Sequence, residues 1–261
     1  MMREYVFIIL ICASFHSVDC DDSGKGYFTQ KLDHFDSTNN ATWQHRFFYN
    51  FHYATPESNV NVLALAGEMG AYLSMISGAE TVSYVYYAKL FNATLYALDQ
   101  RFYGDSRPTE DTSVENLKYL TSRQAIEDIA EFIRQKNEEK EEEQKWIVVG
   151  GGYAGNLAAW SRMLHPQSIS GSIASSAPIE ANLDFYGYLE ALDYDFAKIG
   201  GLCYKQISEG LNEASDLFQS PQGRSDLSSI FQVKPAFSDY DVTENDISLF
   251  YAHVISPFIY A

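Results

Sequence analysis

The amino-acid sequence predicts an α/β fold, a mostly parallel sheet covered on both faces by helices, with further helices after it. Three observations point there. Short apolar runs alternate with helical patterns between residues 61 and 174, the spacing of crossover units whose strands lie parallel. That alternation stops near Asn182, and only amphipathic helical patterns follow. Between them, WIVVGGGYAGNLAAW (residues 146–160) reads as a strand, a glycine run and a small-residue helix.

The elements follow in order. Residues 1–20 are different in kind: MMRE, then the apolar run YVFIILICASF, then the polar HSVDC. This is the anatomy of a signal peptide, too short to span a bilayer, with cleavage expected between Ser17 and Cys20. Residues 27–32 and 43–50 read as strands flanking the turn-rich DSTNN, which predicts a hairpin. Residues 61–66 form an apolar strand ending at Gly67, residues 79–90 a helix, and residues 94–98 a strand ending at Asp99. The clearest helix is 121–136. Thr121 and Gln124 make a capping-box pair, and Ile126, Ile129, Ala130 and Ile133 form its apolar stripe. The charge run NEEKEEEQK (137–145) reads as a solvated helix end or loop. A strand at 146–149, a helix at 153–164 and a strand at 169–174 complete the alternation. Helices are expected at 185–197, 205–218, 225–231 and 242–261, and there is no internal repeat.

Composition limits what such a fold does. Hydrophobic residues make up 46% and aromatics 15% of 261 residues, enough for a well-filled core. The formal net charge of −17 repels phosphate backbones and anionic lipid, so nucleic acid and membrane surfaces are excluded as partners. Two N-x-[ST] sequons, at Asn40 and Asn92, fall between predicted elements and agree with a secretory route. Of the three cysteines, Cys12 lies in the signal segment, Cys20 at its edge and Cys203 far downstream. Cys203 therefore pairs with a surviving Cys20, pairs beyond this chain, or stays free.

The glycine run admits two readings. Residues 150–155, GGGYAG, match the G-x-G-x-x-G dinucleotide fingerprint. Against it, the match sits in the third strand–helix unit, and Ser170 to Pro178 offers no acid to hold a ribose. The other reading is a nucleophile elbow, G-x-S-x-G, with Gly150 first, Gly152 at the nucleophile position and Ala154 last. Small neighbours are needed there because strand and helix approach closely. The backbone N–H of Tyr153 would face a developing oxyanion from a helix N-terminus. Everything is present except the serine.

Here the chain resembles the serine carboxypeptidases that include lysosomal Pro-X carboxypeptidase, lysosomal dipeptidyl peptidase II and thymus-specific serine protease. The matching segments are FTQKLDHFD (28–36), LDQRFYGDSRP (98–108), YLTSRQAIEDIAEFI (119–133), residues 146–166 and SIASSAPIEANLDFYGY (172–188). The resemblance implies an α/β-hydrolase domain over 21–182, incomplete here, and the start of an inserted helical cap over 183–261. It implies peptides as the substrate class, a serine-type exopeptidase chemistry in the family, and neither cofactor nor metal. The family's G-G-S-Y-x-G reads with Gly152 in place of serine, so no catalytic residue is intact. Tyr153 and Gly67 remain as parts of an oxyanion hole, and Glu68 becomes a candidate cleft-lining residue. Asp99 and Gln100 replace the family's Glu-His before Arg101. Ser161, Ser175 and Ser176 read as ordinary helix-surface or strand-end residues, and His253 as a cap-helix residue. The acid and histidine of a triad follow later strands, and the sequence is expected to stop within the cap before them. Such a chain is either an inactive, peptide-binding relative or a piece of a longer member. An extracellular or lysosomal address and self-association through an exposed sheet edge are expected.

Overall fold

The first two strands, β1 (Ser23–Lys31) and β2 (Thr42–Asn50), pair antiparallel from Ser23↔Asn50 to Lys31↔Thr42 as the predicted hairpin. The computed structural model describes residues 22–78 and 83–259. The expected signal segment, Cys12, Cys20 and the first residues of the helix expected at 79–90 lie outside them. β3 (Val60–Leu65), β4 (Thr94–Leu98), β5 (Lys145–Gly151) and β6 (Gly171–Ser175) complete a six-stranded sheet in the order β1-β2-β4-β3-β5-β6. β4–β3–β5–β6 are parallel, and β2 joins β4 antiparallel, so the departure from a parallel sheet is the hairpin itself. A two-element hairpin can only pair antiparallel.

The chain leaves β3 to one side for β4, then crosses to the other side for β5. The order reverses there, and ligand sites of open α/β sheets lie outside the carboxyl ends of strands at such a point. The apolar run of β3 explains its central place. Leu63 and Leu65 enter one core with Ile126, Ile129 and Phe132 of α4 (Ser122–Glu138) and Leu157 of α5 (Tyr153–Leu164). Val62 and Ala64 point oppositely, against Ile76 of the short α1 (Ser74–Ser77) and Val85 and Ala88 of α2 (Ser83–Phe91). A strand buried on both faces reads as a continuous apolar run, as this one does.

Thr121 caps α4, its hydroxyl accepting from the Gln124 N–H at 3.2 Å. The reciprocal half of the expected capping box is replaced. The Gln124 side chain donates to Asp33 and accepts from the His34 N–H, tying α4 to the connection after β1. The single turns at Gly67–Met69, α1 and α3 (Val114–Leu117) were not expected, since one turn carries no periodicity.

The chain divides into two compact units, the first ending at Ala181 and the second starting at Asn182. The second holds α6 (Gly187–Ile199), α7 (Gly201–Phe218), α8 (Pro221–Phe231) and α9 (Glu244–Ile259). Its core gathers Phe218, Leu227, Phe237 and Phe250. α8 begins four residues before the expected start because Ser220 caps it, accepting from the Gly223 N–H, with Pro221 in the first turn.

Candidate functional site

β5 ends and α5 begins across a single residue, Gly152, whose φ of 59° and ψ of −130° lie in a region that essentially only glycine adopts freely. The turn is held from both sides. The Gly152 N–H donates to the Ser175 carbonyl at 3.0 Å, and the Gly152 carbonyl accepts from the N–H groups of Gly155 (2.9 Å) and Asn156 (3.2 Å). Strand and helix touch closely. A β-carbon at Gly150 would fall 2.7 Å from the Gly155 nitrogen and nearer still to the Ala154 carbonyl. At Gly152 the opposite holds, for a β-carbon there would meet nothing within 4 Å. The turn has the sharpness of a nucleophile elbow and the room for a side chain, yet carries a hydrogen.

The turn after β3 lies against this elbow. A β-carbon at Gly67, itself at φ 57°, would stand 3.3 Å from the Ala154 nitrogen. Tyr153 and Ala154 open α5, where the first N–H groups have no intrahelical partner. Donors from the residue after the nucleophile position and from the loop after β3 are the two sources of an oxyanion hole in this kind of site. Beside them opens a cleft of about 470 Å³ lined by Ala66, Met69, Tyr72, Met75, Tyr84 and Ala154, among others. Glu68 is exposed on the same turn, and its neighbours rather than its own side chain line the cleft. Neither histidine nor carboxylate occurs among the described residues lining it.

Two buried ion clusters hold the loops around the cleft. The Asp99 carboxylate, at the end of β4, accepts from the Arg46 Nε (2.9 Å), the Ser106 hydroxyl (2.8 Å) and the Ala71 N–H (2.5 Å). The last bond fixes the segment that carries Met69 and Tyr72. Two residues further, Arg101 is fully buried and donates from Nε and Nη2 to Asp128 of α4, both at 2.7 Å. His34 joins the same carboxylate at 2.8 Å. Burial works to raise the Asp128 carboxyl, but hydrogen bonds from Arg101 and His34 outweigh it and hold it below the ordinary range. Gln100, between the two clusters, keeps its Oε1 buried without a hydrogen-bond partner among the described residues, and burial raises the pKa of the Tyr153 hydroxyl.

Of the expected bystanders, Ser175 touches the elbow through its backbone carbonyl, and Ser161 requires a correction. Ser161 is fully buried rather than on the helix surface, its hydroxyl donating to the Ala158 carbonyl at 3.1 Å. α5 packs between sheet and α4, so even its polar positions are covered. Ser175 ends β6 exposed, and Ser176 follows it. His253 is an exposed residue of α9 bonded to the Leu249 carbonyl, and Cys203 is exposed with no disulfide partner among the described residues. Among the described residues no group of histidines, cysteines or carboxylates is arranged to hold a metal ion. No described helix is long and apolar enough to cross a membrane. The sequence reading missed Met69, Tyr72, Met75 and Tyr84 as cleft residues. Their density between β3 and β4 was the available signal.

Strand order, reversal point and the sharp turn at Gly152 together define the first unit as an α/β-hydrolase domain. The sequence pattern described as Serine carboxypeptidase S28 matches residues 30–261, and the chain belongs to that family. Two Caenorhabditis elegans proteins whose names assign them provisionally as serine proteases are 35% and 33% identical, over 88% and 94% of this chain and 42% and 47% of theirs. Mouse lysosomal Pro-X carboxypeptidase is 31% identical over 79% of this chain and 43% of its own. The chain thus spans less than half the length of these relatives.

Proposed function

We propose that this chain is a secretory-pathway member of the serine carboxypeptidase S28 family that binds peptides without cutting them. One observation carries the reading: the elbow is intact in backbone but bears Gly152. Acyl transfer needs a hydroxyl to attack the carbonyl and hold the acyl group, and a hydrogen does neither. Sites stripped of catalytic groups keep roughly 10³–10⁴-fold over water from oxyanion stabilisation and binding, negligible for a peptide bond. Binding needs less. The first-turn N–H groups of α5, with the turn at Gly67, offer donors to a peptide carbonyl, and the aromatic and thioether lining offers apolar contact. Glu68 stands at its rim as a candidate partner for a positive peptide group.

The secretory route is supported by the composition of residues 1–20, by the exposure of both Asn40 and Asn92, and by the lysosomal name of a mammalian relative. A working triad in longer relatives draws its acid and histidine from beyond the elbow, so a longer form of this chain would still lack its nucleophile. β6 is outermost among the described strands and supports association through its edge. A monodisperse monomer in sedimentation would overturn that last point alone.

The test is calorimetric titration of a prolyl dipeptide amide, together with release of a fluorophore from a prolyl dipeptide reporter. Binding without release above blank is expected. Ser74→Trp, at an exposed residue of the cleft wall, should weaken binding by about tenfold or more. Turnover, or binding indifferent to Ser74→Trp, would sink the proposal.

A further inference from the structure

α2 ends in a way that places a modifiable side chain beside an uncovered apolar face. Asn92 adopts φ 49°, the left-handed conformation that ends many helices. The Ala93 N–H reaches back to the Ala88 carbonyl (2.8 Å) and the Asn92 N–H to the Lys89 carbonyl (3.3 Å), both bonds of a Schellman cap. The cap turns the chain into β4, buries Ala93 completely and leaves Asn92 exposed. Asn92-Ala93-Thr94 is an N-linked sequon. On the last turns of the same helix Tyr86, Leu90 and Phe91 are 54%, 57% and 39% exposed, a cluster that a soluble chain usually keeps covered. Along the helix axis Leu90 lies about 3 Å and Tyr86 about 9 Å from Asn92.

We infer that Asn92 carries an N-linked glycan whose first sugars cover this face of α2. The step is a group transfer. The Asn92 amide nitrogen attacks C1 of a lipid-diphosphate-linked oligosaccharide. The C1–phosphate oxygen bond breaks, the diphosphate lipid leaves, and the displaced amide proton passes to a base of the host transferase. The C–H faces of the sugar rings then lie over Tyr86, Leu90 and Phe91, where apolar contact removes area from water. Asn40 is exposed too, but it lies in the β1–β2 hairpin connection, between Asn39 and an Ala41 that is itself exposed. A glycan there has no comparable face to cover. The inference rests on entry into the secretory pathway, and Asn40 serves as its internal control.

The full chain is expressed in secreting eukaryotic cells, and occupancy is read by peptide-N-glycosidase treatment in heavy-oxygen water, which turns an occupied asparagine into a labelled aspartate, with peptide mass spectrometry. Modification at Asn92 is expected. Enzymatic removal of the sugar from the native protein should raise fluorescence of a hydrophobic-surface dye by about twofold or more. Thr94→Val removes the sequon while keeping both the Asn92 cap and a β-branched residue in β4, and should raise it equally. Thr94→Ser, which keeps the sequon, should not. Adding Leu90→Ser to Thr94→Val should return the signal towards the parent level. Asn40 occupied with Asn92 empty would overturn the inference and leave the secretory reading standing. Neither site occupied in a protein retained in the cytosol would overturn both. Asn92 occupied with dye binding unchanged on removal would overturn the covering role.

Discussion

Gly150 and Gly152 stand two residues apart in one motif, yet the structure assigns them opposite sensitivities to a methyl group. A β-carbon at Gly150 meets the backbone of the first turn of α5, including the Gly155 nitrogen at 2.7 Å. Neither partner is the tip of a flexible side chain, so Gly150→Ala requires β5 and α5 to separate. Overpacking of this kind costs about 1–3 kcal/mol and more when backbone is the obstacle, so about 3 kcal/mol or above is expected. Gly152→Ala meets nothing within 4 Å. Its cost is the conformation alone, about 1–3 kcal/mol for a residue with a β-carbon in so sparsely populated a region. The assay is urea unfolding followed by tryptophan emission. Trp43, Trp146 and Trp160 all belong to the first unit, so the signal reports on the elbow's own unit. By this assay Gly152→Ala should lower the unfolding free energy by about 1–3 kcal/mol and Gly150→Ala by clearly more. Equal costs would refute the open space at Gly152. A stabilising Gly152→Ala, the usual result of Gly→Ala at ordinary φ, would refute the strained turn.

Further outcomes follow from the clusters around the site. Arg101→Met strands the Asp128 carboxylate in the core and should cost about 3–5 kcal/mol by the same assay, whereas a loss under 1 kcal/mol would show the pair to be solvated. Asp128 is held below the ordinary carboxylate range, so the unfolded chain binds more protons between the two values. Its stabilisation is full above about pH 5 and is lost as pH falls. His45 is driven down by burial, so the unfolded chain binds the extra proton below about pH 6.5 and stability falls there as pH drops, and His45→Phe should flatten that fall. Asp99→Asn weakens the hold on the Ala71 N–H and should loosen peptide binding by about fivefold or more in calorimetry. Unchanged affinity would remove the Asp99 cluster from the account of the cleft.

Much of the fold was legible because its signals are local. The run Val60 to Leu65, apolar on both faces, has few alternatives to a central strand, and α5 falls on the residues expected of it. Thr121 capped as expected, but Gln124 turned to the hairpin, a long-range choice that helix propensity does not contain. The elbow was legible from glycine spacing, and its strain and open side are properties of the turn that spacing implies. The cleft wall was not. Met69 and Tyr72 sit on irregular or single-turn segments positioned by Asp99 and Arg46, residues that β2 and β4 bring together across the sheet, and Tyr84 joins them from α2, whose facing toward the cleft is set by packing. Ser161 misled for a related reason, since which face of α5 is covered depends on α4 packing against it.

The central claim is that the elbow lacks any group able to form an acyl or phosphonyl bond. Intact-mass spectrometry after incubation with a fluorophosphonate tests it most directly. Unchanged mass for the chain is the result predicted by Gly152. A stoichiometric adduct, mapped to any residue of the segment 150–176, would contradict it.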